Sequence, residues 1–215
     1  MLVVTTLSCQ EENALTDEQI VAGLKEALKV GTENSVNSAH QTDGYFANLA
    51  IKILFPEDAA FVKTALDAIG LSAITDELVL KLNRAAEDAA DKAKPIFIDA
   101  ITNMTILDAL TILNGNNDAA TQYLKANTYE QLKAAFKPDI ENSLNSVGAA
   151  QAWTTVIDAY NTIPLHQTVN TDLADYTTGK ALDGLFVLVA KEEEKIRTDP
   201  AARINEILQQ VFGSL

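Results

Sequence analysis

Hydrophobic and polar positions follow a helical period through nearly the whole chain, and the longest run lies between Ser72 and Asn103. Set at 100° per residue, Leu78, Leu82, Ala85, Ala86, Ala89, Ala90, Ala93, Phe97, Ala100 and Ile101 share one face. Arg84, Asp88, Asp91, Lys92, Asp99 and Thr102 lie opposite. A stripe that stays in phase for roughly eight to nine turns predicts a spine helix for the fold. The phase also survives Pro95, which predicts a kinked helix rather than two. A straight helix of this length would measure about 48 Å. A compact domain of this size is roughly 43 Å across, so a bend at Pro95 keeps the spine covered. The inner face from Ala85 to Ala93 is alanine only, which lets a neighbouring helix approach closely.

Other helices are marked by their ends. Thr16 with Gln19 forms a capping box, opening a stripe through Ile20, Leu24, Ala27, Leu28 and Gly31 that reaches about Asn37. Thr42-Asp-Gly44 is a turn. Pro56 suits the first position of a helix that stops at Gly70. Thr105 to Asp108 caps a short helix ending at Asn114-Gly115, and Asp118 starts another short one. Thr128 to Gln131 reads as a further capping box, opening a helix toward Gly148 that Pro138 must kink. Ala150 to Asn161 is amphipathic and carries Trp153, and Thr162 to Asn170 is a connector. Asp172 to Arg197 is helical with a potential break near Gly179, and Asp199-Pro200 opens a last helix through Ile204, Ile207, Leu208, Val211 and Phe212. No alternating strand of convincing length appears. The expectation is an all-α fold, a single irregular domain of about 8–10 helices over residues 15–215, packed around the long helix kinked at Pro95.

Composition narrows the function classes. The chain has 215 residues, a net charge of −14 and no basic cluster, which argues against nucleic acid as a partner. The densest apolar run, Leu185 to Ala190, is too short for a transmembrane helix. Cys9 is the only cysteine, so no intramolecular disulfide forms. Its setting matters more: Met1-Leu-Val-Val-Thr-Thr-Leu-Ser-Cys9 is a short apolar run, a small residue and a cysteine. That resembles the tail of a bacterial lipoprotein signal peptide, and the expectation is a signal remnant and tether over residues 1–14 with Cys9 as the lipidation site.

Chemistry is harder to find. His40 and His166 flank turns and fall in no ligand pattern. No Gly-rich phosphate loop, nucleophile elbow or calcium loop is present, so neither a cofactor nor a metal is expected. Asn83 and Glu87 sit at the edge of the spine's apolar face, with Arg84 next to them in sequence, where a carboxylate would be partly buried and would want a cation. Asp183 opens the most apolar stretch of the second half, with Arg197 and Arg203 as partners for either acid. Structural ion pairs that fix helix register are the plainer expectation for Asn83, Arg84, Glu87, Asp183 and Arg197, and a polar pocket the sharper one. Glu192 to Arg197 reads as a solvated helical face with Glu193 and Arg197 as an i,i+4 pair.

Several pieces of the chain, in order, carry a family resemblance: Gly23-Leu-Lys-Glu-Ala-Leu28, Asp43-Gly-Tyr-Phe46 with Ile51-Lys-Ile53, Asn83-Arg-Ala-Ala-Glu87, Pro95-Ile-Phe97 with Met104-Thr-Ile106 and Asp108-Ala109, Lys180-Ala-Leu-Asp-Gly-Leu-Phe186, and Glu192-Glu193 with Ile196-Arg197 and Asp199-Pro-Ala-Ala-Arg203. Together they resemble a family of bacterial predicted lipoproteins classed as a domain of unknown function. The resemblance implies an exported, helical, single-domain protein of the periplasm or outer membrane, anchored by lipid at Cys9. It implies no activity. The expected function is a non-enzymatic binding or scaffolding module with an envelope protein as partner. The alternatives are a carrier of a small apolar or amphipathic ligand between helices, and a carboxylate-based hydrolase using Glu87 and Asp183.

Overall fold

A computed structural model describes residues 16–164, 169, 172–203, 209 and 211, and among them the fold is all-α. Cys9, His166 and nearly all of the expected last helix lie outside the described residues.

The first helix, α1 (Asp17–His40), starts at the capping box: Gln19 N–H donates to Thr16 Oγ1, and Thr16 N–H donates to Gln19 Oε1. A short 3-10 turn, Glu57–Ala59, precedes α2 (Ala60–Ala68), and Gly70 follows it at φ 80°, the left-handed conformation that suits a helix stop. The spine comes next as α3 (Ser72–Ala89), a 3-10 turn at Ala90–Lys92 and α4 (Ala93–Asn103). The interruption expected at Pro95 therefore sits just ahead of it. Pro95 has no amide for the Asp91 carbonyl, and its ring crowds that group. Tightening the preceding turn puts Pro95 in the first turn of α4, where a missing amide costs nothing.

A second capping box, Thr105 with Asp108, opens α5 (Ile106–Leu113). Next is α6 (Ala119–Ser146), one helix where the sequence pattern suggested two. Thr128 is no cap. It is buried in mid-helix, and its hydroxyl donates to the Leu124 carbonyl at 2.6 Å. Ala120, Leu124, Thr128, Leu132, Phe136, Ile140 and Leu144 are all buried, a row in steps of four. Such a row drifts about 40° per step and winds by about 240° from end to end. The winding matches the surroundings, because α6 packs against the spine, α5 and both helices that follow, α7 (Ala149–Asn161) and α8 (Leu173–Thr198). Pro138 lies on the exposed side of α6. α8 runs unbroken through Gly179, and a 3-10 turn at Pro200–Ala202, held by the Asp199 side chain, follows it. The buried apolar side chains form one cluster to which every α-helix contributes, with Phe97 against Phe186 edge-on at 5.7 Å near its centre.

Candidate functional site

The polar edge of the spine turns inward onto the segment between α1 and α2, residues 41–56. This segment has little secondary structure of its own, so its backbone groups need partners. Asn83, fully buried, supplies two of them: its Oδ1 accepts from Ile53 N–H at 2.9 Å, and its Nδ2 donates to the Ile53 carbonyl at 2.7 Å. One turn on, Glu87 is 3% exposed, and its Oε1 accepts from the amides of Tyr45 and Phe46, each at 3.1 Å. Its Oε2 takes Arg84 Nη1 at 2.6 Å, and Arg84 Nη2 continues to Asp43 Oδ1 at 2.7 Å. The pairing with Glu87, and then with Asp43, raises the Arg84 pKa further above its ordinary value.

The turn at the head of the segment is equally constrained. Asp43 adopts φ 68°, a left-handed conformation that Asp tolerates better than bulkier residues. A Cβ on Gly44 would meet the Ser38 carbonyl oxygen at 2.3 Å and that of Ala39 at 2.5 Å, so only glycine fits. Tyr45 is buried and its hydroxyl donates to the Ala181 carbonyl at 2.7 Å. Burial, and secondly the nearby Glu87 carboxylate, push the pKa of this hydroxyl far up, so it acts as a neutral donor. His40 Nδ1 lies 2.8 Å from the Glu87 carbonyl oxygen at the end of α1.

Arg197 is elsewhere, and with a different partner. It pairs with Glu193, and both are buried, with side chains 8% and 5% exposed. The solvated face expected from Glu192 to Arg197 is a correction: the run passes right round the helix, so Glu193 and Arg197, four residues apart, point into the protein. Glu193 Oε1 accepts from Ala120 N–H at 2.9 Å, and Oε2 accepts from Thr121 N–H and the Thr121 hydroxyl, both at 2.8 Å. Arg197 Nη2 donates to the Ile112 carbonyl at 2.8 Å, and Nη1 to that of Leu113 at 3.3 Å. Arg203 bonds the carbonyls of Ile196 and Arg197 and reaches neither Glu87 nor Asp183. Asp183 is exposed and lies 3.4 Å from Lys125.

These positions bear on two alternatives. A hydrolase would need Glu87 and Asp183 open to one substrate. Glu87 has every oxygen engaged behind Arg84, while Asp183 stands in water on another helix. Carriage of an apolar ligand would need a pocket of several hundred Å³. The apolar cavity between α1 and α8, lined by Leu24, Leu28, Ala120, Val189 and Ile196 beside Glu193, measures about 20 Å³, room for one water. The larger spaces, such as the cleft of about 750 Å³ between Asp118 and Lys191, are open at the surface and lined largely by polar residues. Among the described residues no group of three or more His, Cys, Asp or Glu could hold a metal ion. Among the same residues no single helix is long and apolar enough to cross a membrane.

The sequence profile of the family described as "Protein of unknown function (DUF4197)" matches residues 14–213. The chain belongs to this family. No curated protein and no solved structure matches it. For this DUF4197 protein the residues that sequence reasoning missed are the backbone amides of Tyr45, Phe46, Ile53, Ala120 and Thr121. Each is the object that a buried side chain was placed to hold. The side chains that hold them did leave traces, Asn83 and Glu87 as polar residues at the edge of an apolar face and Glu193 as an acid four residues before an arginine.

Proposed function

We propose that this is a lipid-anchored protein of the bacterial cell envelope, exported to the periplasm or outer membrane, that works by binding a protein partner. The observation that carries the reading is the character of the 41–56 segment. Three buried side chains, Asn83, Glu87 and Tyr45, fix it, and Ile51, Ile53 and Phe55 pack beneath it. Yet it holds Leu49 and Leu54 outward, at 89% and 62% exposure. A loop with so many backbone partners loses little entropy when it binds, which favours a rigid docking surface over a flexible linker. Phe46, with Lys52 Nζ 3.9 Å from its ring centroid, extends this surface with a cation held over an aromatic face. The anchor is supported by the run from Met1 to Cys9.

The reading is tested by crosslinking in intact cells, with the unaltered chain beside Cys9→Ala and the pair Leu49→Asp, Leu54→Asp. Cys9→Ala should move the protein from membrane to soluble fractions. The loop pair should keep the helical circular dichroism and lose the adducts. Adducts that survive in the loop pair would sink the assignment of this surface.

A further inference from the structure

The two ends of α1 face different surroundings. α1 and α4 run antiparallel, for Lys94 Nζ reaches Asn37 Oδ1 at 3.2 Å near one end and Lys25 Nζ donates to the Thr102 carbonyl at 2.8 Å near the other. α4 therefore hands the chain to α5 beside the N-terminal half of α1. α5 turns away from the spine by 103° and packs on α1. It buries Ala109, Ile112 and Leu113 on the core side. Leu107 points out at 74% exposure, with Ile106 beside it at 49%. Thr102, near the end of α4, lies within about 20 Å of Thr16, counting the rise of α1 from Thr16 to Lys25 and the reach of a lysine, and the corner follows directly after it. The 41–56 segment is at the opposite end of α1, about 36 Å along its axis.

Cys9 precedes Thr16 by seven residues, which span at most about 25 Å when fully extended. A lipid on Cys9 would thus keep the N-terminal end of α1, and with it the Leu107 corner, within reach of the bilayer, while the loop with Leu49 and Leu54 lies at the other end of α1. We propose that Leu107 and Ile106, at the α4–α5 corner, form the surface on which the anchored protein rests on the lipid bilayer, their side chains entering its interface. The proposal rests on the anchor reading above and adds the orientation of the body. The lipid it fits is zwitterionic. Asp17, Glu18, Asp99 and Asp108 lie at the same end against Lys25, and this balance would be repelled by anionic headgroups.

The test uses the lipidated full chain, purified from membranes and placed in phosphatidylcholine vesicles with brominated acyl chains. Trp153→Phe removes the native indole, and Leu107→Trp or Leu49→Trp supplies a new one at an exposed position that leaves the core intact. Emission from Leu107→Trp should fall about twofold, as befits a side chain just below the headgroups, while Leu49→Trp keeps its intensity. Replacing part of the lipid with phosphatidylglycerol should reduce the quenching. If the protein floats with the vesicles and Leu107→Trp is unquenched, the orientation is wrong and the anchor stands. Equal quenching of both indoles also overturns the orientation. If the protein does not float, the anchor reading fails and takes the orientation with it.

Discussion

Two buried glutamates in this fold are built from the same parts and serve different ends. Glu87 and Glu193 each take two consecutive backbone amides, and each is paired with an arginine on its own helix. Glu87 holds an irregular segment. Glu193 holds the first turn of α6, whose own Asp118 makes no side-chain cap. The carboxylate of α8 is thus the N-cap that α6 lacks, supplied from another helix and placed where the helix dipole favours an anion. Arg197 completes the arrangement at the C-terminal end of α5, where its cation meets the last two carbonyls of the helix. One ion pair on α8 therefore seals two helix ends at the α5–α6 junction. Arg84 faces the other way. Its side chain is 29% exposed and its second bond goes to Asp43 at the surface. The difference lies in what happens when the acid is removed: Arg84 can turn to water, and Arg197 cannot.

The largest expected effect follows from that difference. Glu193→Ala leaves a buried guanidinium without its counter-charge and two amides of α6 without acceptors, a loss of about 3–5 kcal/mol. Glu87→Ala removes three hydrogen bonds where Glu193→Ala removes four, and it frees Arg84 to solvent, so the loss should be nearer about 2 kcal/mol. Urea unfolding at unchanged m-value measures both. A Glu87→Ala loss that equals or exceeds that of Glu193→Ala would break the comparison.

Asn83 sharpens the same point without a charge. Asn83→Ala strips partners from both Ile53 backbone groups in a dry site, at a cost of about 1–3 kcal/mol. Its effect should stay local. Hydrogen exchange should quicken at Tyr45, Phe46 and Ile53, while the amides of Ala120 and Thr121 keep their protection. Faster exchange at both sites would mean that the segment and the α5–α6 junction open together.

Much of this arrangement was legible in the sequence, and the missing part has a common cause. The capping boxes at Thr16 and Thr105 were readable because donor and acceptor lie three residues apart. The azimuths of Asn83 and Glu87 at the edge of the spine's apolar face were readable for the same local reason. What they grip was not, because a backbone amide carries no sequence signature. Glu193 was misread because a run of charged residues looks like a wet helix face until the end of α6 covers it. α6 itself was divided in two because its buried row winds around the helix, and no fixed angular period follows a winding face. Thr128 then supplied a false start: Ser and Thr cap helices, but a buried Thr can also bond the carbonyl four residues back.

The smallest effect belongs to the ion cluster at the surface, where α6 meets the start of α8. Lys137 Nζ lies 3.4 Å from Asp172 and 3.3 Å from Asp175, which Lys133 also reaches at 3.2 Å. The Asp175 amide, more than Lys137, holds the Asp172 carboxyl below its usual range, and Lys133 and Lys137 do the same for Asp175. Asp175 in turn raises Lys137. The acids therefore add stability that is present above their unfolded pKa, about 4, and is lost as pH falls through their lower folded values. Lys137 adds stability that is present below its unfolded pKa, about 10.5, and is lost as pH rises through its higher folded value. The difference in melting temperature between the unaltered chain and Lys137→Gln should thus be level from about pH 5 to 9 and shrink on both sides. Because all these groups are in water, about 1 M salt should also erase it. The same salt should leave the Glu193→Ala difference in place, since the Glu193–Arg197 pair is beyond the reach of the ions. A salt response shared by both would place Glu193 in water and undo its role as the cap of α6.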